Sequence, residues 1–257
     1  RQMCIRDSDQ IVLTFNTPNA ESLKIFCEEH RQEVVDFLTH TEMNRLIKEL
    51  QVHYSKVIYD LAWGEFACKL YAPKEIKAYK KGKQFFWASN NTAQGMVSIC
   101  MYSYPYEGPE TFNRQYVMAK RDSVMKENMP GEHPGMFMQT DTVHTDIKAI
   151  NVHGKYAMEM RGLWVVKENK LENLWDSMGG PFVSHSRVDT ETNRVVVVEG
   201  FVYAPEKMKR GLMRRLEGSL YTLQLPEEQY SFIDTGVEEE KADSAAVEGK
   251  AEQKASK

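Results

Sequence analysis

Two stretches of the sequence decide the fold class, KYAMEMRGLWVV at 155–166 and VVVVEGFVYA at 195–204. In the first, apolar side chains alternate with charged ones, which is typical of a strand with one face buried and the other in water. In the second, both faces are largely apolar, so we expect this strand near the centre of its sheet. This alternation favours an antiparallel sheet over a doubly wound parallel sheet, whose strands are continuous apolar runs.

The rest of the sequence supplies helices and further strands around these two. Apolar residues spaced by three and four predict helices over about 21–38, 43–61, 110–128 and 205–223. Thr39 and Glu42 match a capping box, so we place the break between the first two helices near residue 39. Alternation predicts additional strands at 11–15, 66–71, 85–89, 96–104, 136–139, 143–152 and 182–189, and Gly179-Gly180-Pro181 is interpreted as a tight turn before the last of them.

These elements predict an α+β fold with an antiparallel or mixed sheet and helices packed mainly on one face. We expect one domain over residues 10–226, and the order of elements allows two related α+β halves, 10–83 and 84–226. Residues 1–9 lack apolar periodicity and are interpreted as a non-native or disordered leader. Residues 227–257 contain too little apolar surface to offset the entropy of ordering, which predicts a disordered acidic and polar tail.

Composition argues against several function classes. The formal net charge of the 257 residues is -4, which gives no overall attraction to nucleic acid. No apolar run approaches the ~20 residues of a membrane-spanning helix. The four cysteines are scattered without a CxxC pair, so neither a structural zinc site nor a dense disulfide framework is expected. No motif indicates a cofactor.

The strongest candidates for chemistry are His144, Asp146 and His185. In an extended strand His144 and Asp146 would point to the same face, as two metal ligands or as a carboxylate that orients an imidazole. Polar residues of these types are also common on the wet face of a sheet, and no GxSxG accompanies His185. A structural role is therefore the favoured interpretation, with a metal-assisted or acid–base site as the alternative.

Two segments are candidate binding surfaces. Leu174 and Trp175 lie in a long connection between strands, where exposed apolar side chains can form a recognition surface or fold back on the sheet. The final helix and its approach carry basic residues that could contact anionic lipid or a polyanion, although a solvated helix face is the favoured interpretation. These basic residues are Lys207, Lys209, Arg210 and Arg214.

Several long strings resemble one known family in order and spacing. They include FFWASNNT at 85–92, KRDSVMKENMPG at 120–131, HGKYAMEMRGLW at 153–164, MGGPFVSHSR at 178–187 and FVYAPEKMKRGLMRRLE at 201–217. They resemble the domain-of-unknown-function 4837 family, seen in Bacteroidetes as predicted lipoproteins. The resemblance implies a lipid-anchored cell-envelope protein whose signal and leading segment precede this chain, and it supplies no reaction.

We therefore expect an envelope protein with a non-catalytic binding or assembly role rather than an enzyme. Its expected partner is an unidentified envelope component. Membrane association is expected only through the N-terminal lipid anchor that the resemblance implies. The alternative function is an enzyme that uses the His/Asp cluster on a sheet face.

Overall fold

The computed structural model describes residues 11, 13–92, 95–167, 178–226 and 228–235. The chain divides into two compact units, residues 1–40 with 234–257 and residues 41–233. Within the described ranges, none of the helices combines the length and the apolar character needed to cross a membrane.

The first helices break at a different place from the one predicted. Helix α1 spans Ala20–Glu29 and begins with the Asn19 side chain accepting a hydrogen bond from the Ser22 amide. Helix α2 spans Arg31–Val52, so the chain bends at His30 and the predicted break near residue 39 is wrong. Thr39 lies inside α2, where its backbone is already hydrogen-bonded as helix and needs no cap. The backbone at 13–16 is irregular, so the strand predicted at 11–15 does not form there.

The described part of residues 41–233 is built on an eight-stranded antiparallel sheet of order β1-β2-β3-β8-β7-β6-β4, with β5 also paired to β6. Strand β8 lies in the middle of this order and is buried along nearly its whole length, which confirms the central position expected for it. The strands are β1 Ala78–Gly82, β2 Phe85–Ser89, β3 Met96–Pro105, β4 Phe137–Thr140, β5 Asp146–Val152, β6 Lys155–Lys167, β7 Gly179–Asp189 and β8 Arg194–Tyr203.

Three further helices complete the part of the fold that the structure describes, and the α+β class with an antiparallel sheet is confirmed. They are α3 Lys56–Phe66, α4 Arg114–Asn128, which follows a short 3-10 turn at Pro109–Phe112, and α5 Arg210–Tyr221. One apolar cluster joins α3 and α5 to one face of the sheet, and a second joins α4 to the opposite face. Two of these three helices thus share a face, while α4 buries the other one.

Some local predictions are wrong, each for an identifiable reason. Residues 66–71 are not a strand of the sheet. They make only an isolated β-bridge, between Lys69 and Gln224. Gly179-Gly180-Pro181 belongs to β7 and is not a turn. Glu159 was expected in water, yet it is 2% exposed because Lys148, Arg161 and His185 surround its carboxylate. Alternation therefore located the strand correctly but not the surroundings of its charged side chains.

Candidate functional site

His144 lies in the turn that precedes β5 and is not part of a strand. Its Nδ1 atom is 2.9 Å from the Asp141 Oδ2 atom, and the His144 side chain is mostly exposed. The hydrogen bond from His144 lowers the pKa of Asp141 below its ordinary value. The geometry predicted for a strand, with His144 and Asp146 on one face, is therefore not the one that forms.

The other two candidates also have separate surroundings. Asp146 begins β5 as an exposed residue and pairs in register with Arg161 of β6. His185 is fully buried on β7 and pairs in register with Glu159. Among the described residues, no group of three or more His, Cys, Asp or Glu side chains could hold a metal ion. The sequence-predicted cluster is thus not brought together as a ligand set.

His185 belongs instead to a buried network that sequence reasoning did not find. Its Nε2 atom is 3.5 Å from Glu159 Oε2, and its ring packs edge-on against Tyr221 of α5 with centroids 4.7 Å apart. Arg161 binds the same carboxylate at 3.2 and 3.3 Å and also pairs with Glu217 of α5. The network therefore connects strands β6 and β7 to helix α5.

The ionisation of Glu159 is decided by these neighbours. Burial alone would raise the pKa of Glu159, but the hydrogen bonds from Arg161 and the adjacent His185 ring outweigh it and lower the pKa to about 2. A general base works best when its pKa lies near the working pH. Glu159 is consequently a structural anion and a poor proton acceptor at neutral pH.

A second buried ion pair crosses the opposite side of the sheet. Arg121 of α4 donates to Glu199 of β8 through Nε at 2.8 Å and Nη2 at 2.7 Å. Arg121 also donates to the Thr140 hydroxyl at 2.9 Å, and its guanidinium lies 4.1 Å from the centre of the Phe182 ring. The only sequence signal for this pair was one acidic residue inside the otherwise apolar run at 195–204.

A third buried pair extends the packed chain past the predicted domain end at 226. Arg187 of β7 donates to the Glu228 carboxylate through Nη1 at 2.9 Å and to the Leu223 carbonyl at 3.0 Å. The same carboxylate accepts from the Leu225 amide at 3.0 Å. Glu228, which falls within the range assigned to the polar tail, is therefore a buried part of the fold.

An open cleft lies between α4 and the end of β3, and we refer to it as the α4 cleft. It has a volume of about 280 Å³. The turn between β1 and β2 and the last residues of β3 form one wall, and α4 forms the other. Its lining residues include Lys83, Gln84, Tyr104, Lys120, Ser123 and Glu127.

The basic residues predicted to bind lie away from the α4 cleft. Leu174 and Trp175 fall outside the described residues. Lys207 and Lys209 precede α5, whereas Arg210 and Arg214 lie in its first turns. The neighbouring Met208 is 90% exposed, so this basic segment carries an apolar side chain into solvent.

The comparisons with known proteins identify a family but no activity. A family model described as Domain of unknown function (DUF4837) matches residues 61–222, and the chain belongs to this family. None of the curated proteins compared with the chain matches it. One similar solved structure is a crystal structure of a protein from Bacteroides thetaiotaomicron with 12% identity and a TM-score of 0.25, covering 63% of this chain and 46% of that one.

Proposed function

We propose that this member of the DUF4837 family is a non-catalytic binding or assembly protein of the cell envelope, and that the α4 cleft is its ligand site. The observation that carries the proposal is the contrast between two kinds of charge. The arginines and carboxylates of the three networks are engaged with one another. The lysines of the cleft face open space that a ligand can enter.

The envelope location rests on the family resemblance, whose members are predicted lipoproteins. We propose that the full-length protein is lipid-anchored at its N-terminus and presents the cleft to another envelope component. Cell fractionation of the native protein tests this location. Recovery with the membranes, with release by detergent and not by salt, supports the anchor. Recovery in the cytoplasmic fraction contradicts it.

The binding function is tested at the cleft itself. Titration of ¹⁵N-labelled protein with soluble envelope extracts should shift the amide signals of Lys83, Lys120 and Ser123 in a saturable manner. Amide signals near the exposed residue Tyr156, which does not line the cleft, provide the internal control. If the signals near Tyr156 move and the cleft signals do not, the α4 cleft is not the ligand site.

The alternative function is a metal-assisted or acid–base enzyme that uses the His/Asp cluster of His144, Asp146 and His185. It requires a substrate to reach His185, which is fully buried, and it requires His144 and Asp146, which lie in separate surroundings, to act with it. The proposed non-catalytic function therefore predicts that a screen of hydrolase substrates finds no activity. A reproducible activity that His185→Ala or His144→Ala abolishes, in a variant that remains folded, would establish the alternative.

A second contact is favoured by the exposure of Met208. An apolar side chain among Lys207, Lys209 and Arg210 is a combination that binds anionic membrane surfaces. We propose that this segment contacts anionic lipid when the protein is held near a membrane. Co-sedimentation with phosphatidylserine-containing liposomes should weaken with added salt and with Met208→Ser. Equal sedimentation with neutral liposomes would contradict this contact.

A further inference from the structure

We propose that the α4 cleft binds a small anionic ligand, through a phosphate or carboxylate group held between Lys83 and Lys120. This inference rests on the proposed binding function and names the chemical class of the ligand. It begins from the position of the two lysines on opposite walls. Lys83 belongs to the turn between β1 and β2, and Lys120 to the middle of α4.

The charge of the cleft favours an anion. Lys83 and Lys120 both line it, against the single carboxylate of Glu127. Among the described residues, neither lysine forms an ion pair with a carboxylate within 4.0 Å. An ammonium group without an anionic partner attracts one, and two such groups that line the same cleft reinforce this attraction.

The position of Lys120 is fixed by an aromatic ring. Its Nζ atom lies 5.1 Å from the centre of the Tyr104 ring, within the range of a cation–π contact. Tyr104 is 4% exposed and belongs to the core of β3, so it is a rigid support. The ammonium group is thereby held over the ring, and the residue as a whole is only half-buried.

The remaining lining residues set the size and polarity of the ligand. The volume of about 280 Å³ is smaller than most pockets for drug-sized molecules, so the ligand is small. The Ser123 hydroxyl and the Gln84 amide are both exposed at the cleft and can bond to hydroxyl or carbonyl groups. Ser103 also lines the cleft, but strand alternation directs its side chain away from that of Tyr104, so it is not assigned a role.

The test uses four single variants of the full chain and four probes, namely inorganic phosphate, pyrophosphate, acetate and methyl glucoside. Binding is followed by NMR shifts of the amides that line the cleft. Lys120→Met retains the aliphatic stem and should weaken binding of the anions at least tenfold, and Lys83→Met should weaken it several-fold. Glu127→Gln removes the opposing carboxylate and should strengthen binding two- to threefold.

Lys126→Met is the matched control. Lys126 lies on the same helix with its ammonium group 5.9 Å from the Phe137 ring, and it does not line the cleft. Its loss should change the affinity less than twofold. Equal weakening by Lys126→Met and Lys120→Met would show attraction to net charge alone and would overturn the inference.

The probes distinguish a phosphate ligand from a carboxylate ligand. They also show whether only the anionic class is wrong or the binding function as well. Tighter binding of phosphate or pyrophosphate than of acetate assigns a phosphate ligand, and the reverse order assigns a carboxylate. If methyl glucoside binds at the cleft and the anions do not, the anionic class is wrong while the binding function stands. If no probe and no envelope extract shifts the cleft signals, both proposals fail.

Discussion

Arg121 and Glu199 form a two-pronged ion pair in which both side chains are completely buried. The two residues are 78 positions apart in sequence, and their pairing fixes α4 against the central strand of the sheet. Burying two charges is costly, and only a partner of matched geometry offsets the loss of hydration. We therefore expect the pair to determine where α4 docks more than how stable the protein is.

Removing one partner of this pair should be strongly destabilising. Glu199→Gln leaves the Arg121 guanidinium buried without a counter-charge, so we expect a loss of about 3–5 kcal/mol in the free energy of unfolding. Arg121→Met should cost a similar amount. Urea denaturation measures both. The double variant Arg121→Met/Glu199→Leu should be less destabilised than either single variant, and additive losses would contradict a coupled pair.

Acid should weaken the protein through Glu159. The pKa of Glu159 is about 2 in the folded protein against an ordinary value of 4.5. Because the folded pKa is depressed, the stabilisation is fully present above about pH 5 and is lost as the pH falls towards 2. The shift corresponds to about 3 kcal/mol. Glu159→Gln should therefore destabilise the protein at pH 7 and have a smaller effect near pH 3.

The control for Glu159 is a carboxylate in an exposed pair. Glu42 contacts Arg45 at 2.8 Å on the surface of α2. Glu42→Gln should change the free energy of unfolding by less than about 1 kcal/mol. A cost at pH 7 no greater for Glu159→Gln than for Glu42→Gln would show that the buried network contributes little.

His153 should make the free energy of unfolding depend on pH in a separate range, close to neutral pH. Its ring lies between the backbone of Leu223, 3.0 Å from Nε2, and that of Ser231, and burial lowers its pKa below the ordinary histidine value. The unfolded chain therefore binds a proton at higher pH than the folded one. The contribution of neutral His153 to the stability of the folded protein is fully present above about pH 6.5. It declines as the pH falls through the folded pKa.

His153→Asn isolates this effect. Asparagine tolerates the positive φ of 55° at this position and cannot titrate in this range. Denaturation midpoints measured between pH 5 and 8 should vary less in the variant than in the parent protein. An unchanged pH dependence would assign the titration to another group.

Two glycines offer a comparison between a crowded and an open position. A Cβ atom at Gly180 would lie 2.0 Å from the Val202 carbonyl oxygen, whereas one at Gly64 of α3 would meet nothing within 4 Å. Gly180→Ala must displace the backbone of β7 or β8 and should lower the melting temperature by several degrees. Gly64→Ala should stabilise the protein by about 0.5–1 kcal/mol, because alanine favours a helix. Differential scanning calorimetry distinguishes the two.

The sequence predicted the sheet well because strand periodicity is a local property. The alternation at 155–166 and the apolar run at 195–204 correspond to β6 and β8, and the helix at 110–128 contains α4. Helix ends were harder to predict from the sequence, since the break occurs at His30 and not near Thr39. Local cap signals compete with the continued hydrogen bonding of a helix, and tertiary packing decides between them.

The candidate site was harder to predict because its contacts are distant in sequence. Glu159 alternates with apolar neighbours as an exposed residue would, and only Arg161, His185 and α5 explain its burial. The α4 cleft joins a turn at Lys83 to a helix at Lys120, and no motif connects these segments. A single acidic residue in an apolar strand, such as Glu199, is the kind of signal that does indicate a buried partner elsewhere.

The contact between Arg187 and Glu228 sets a practical limit on shortening the protein from its C-terminal end. A fragment cut at residue 226, where apolar periodicity fades, would leave the Arg187 guanidinium buried without its carboxylate partner. Such a fragment would be prone to aggregate. Retaining the chain through Ser231 keeps both the carboxylate and the backbone group that meets His153. Expression of residues 41–233 as a separate unit should therefore end several residues after position 226, the end that hydrophobicity alone would suggest.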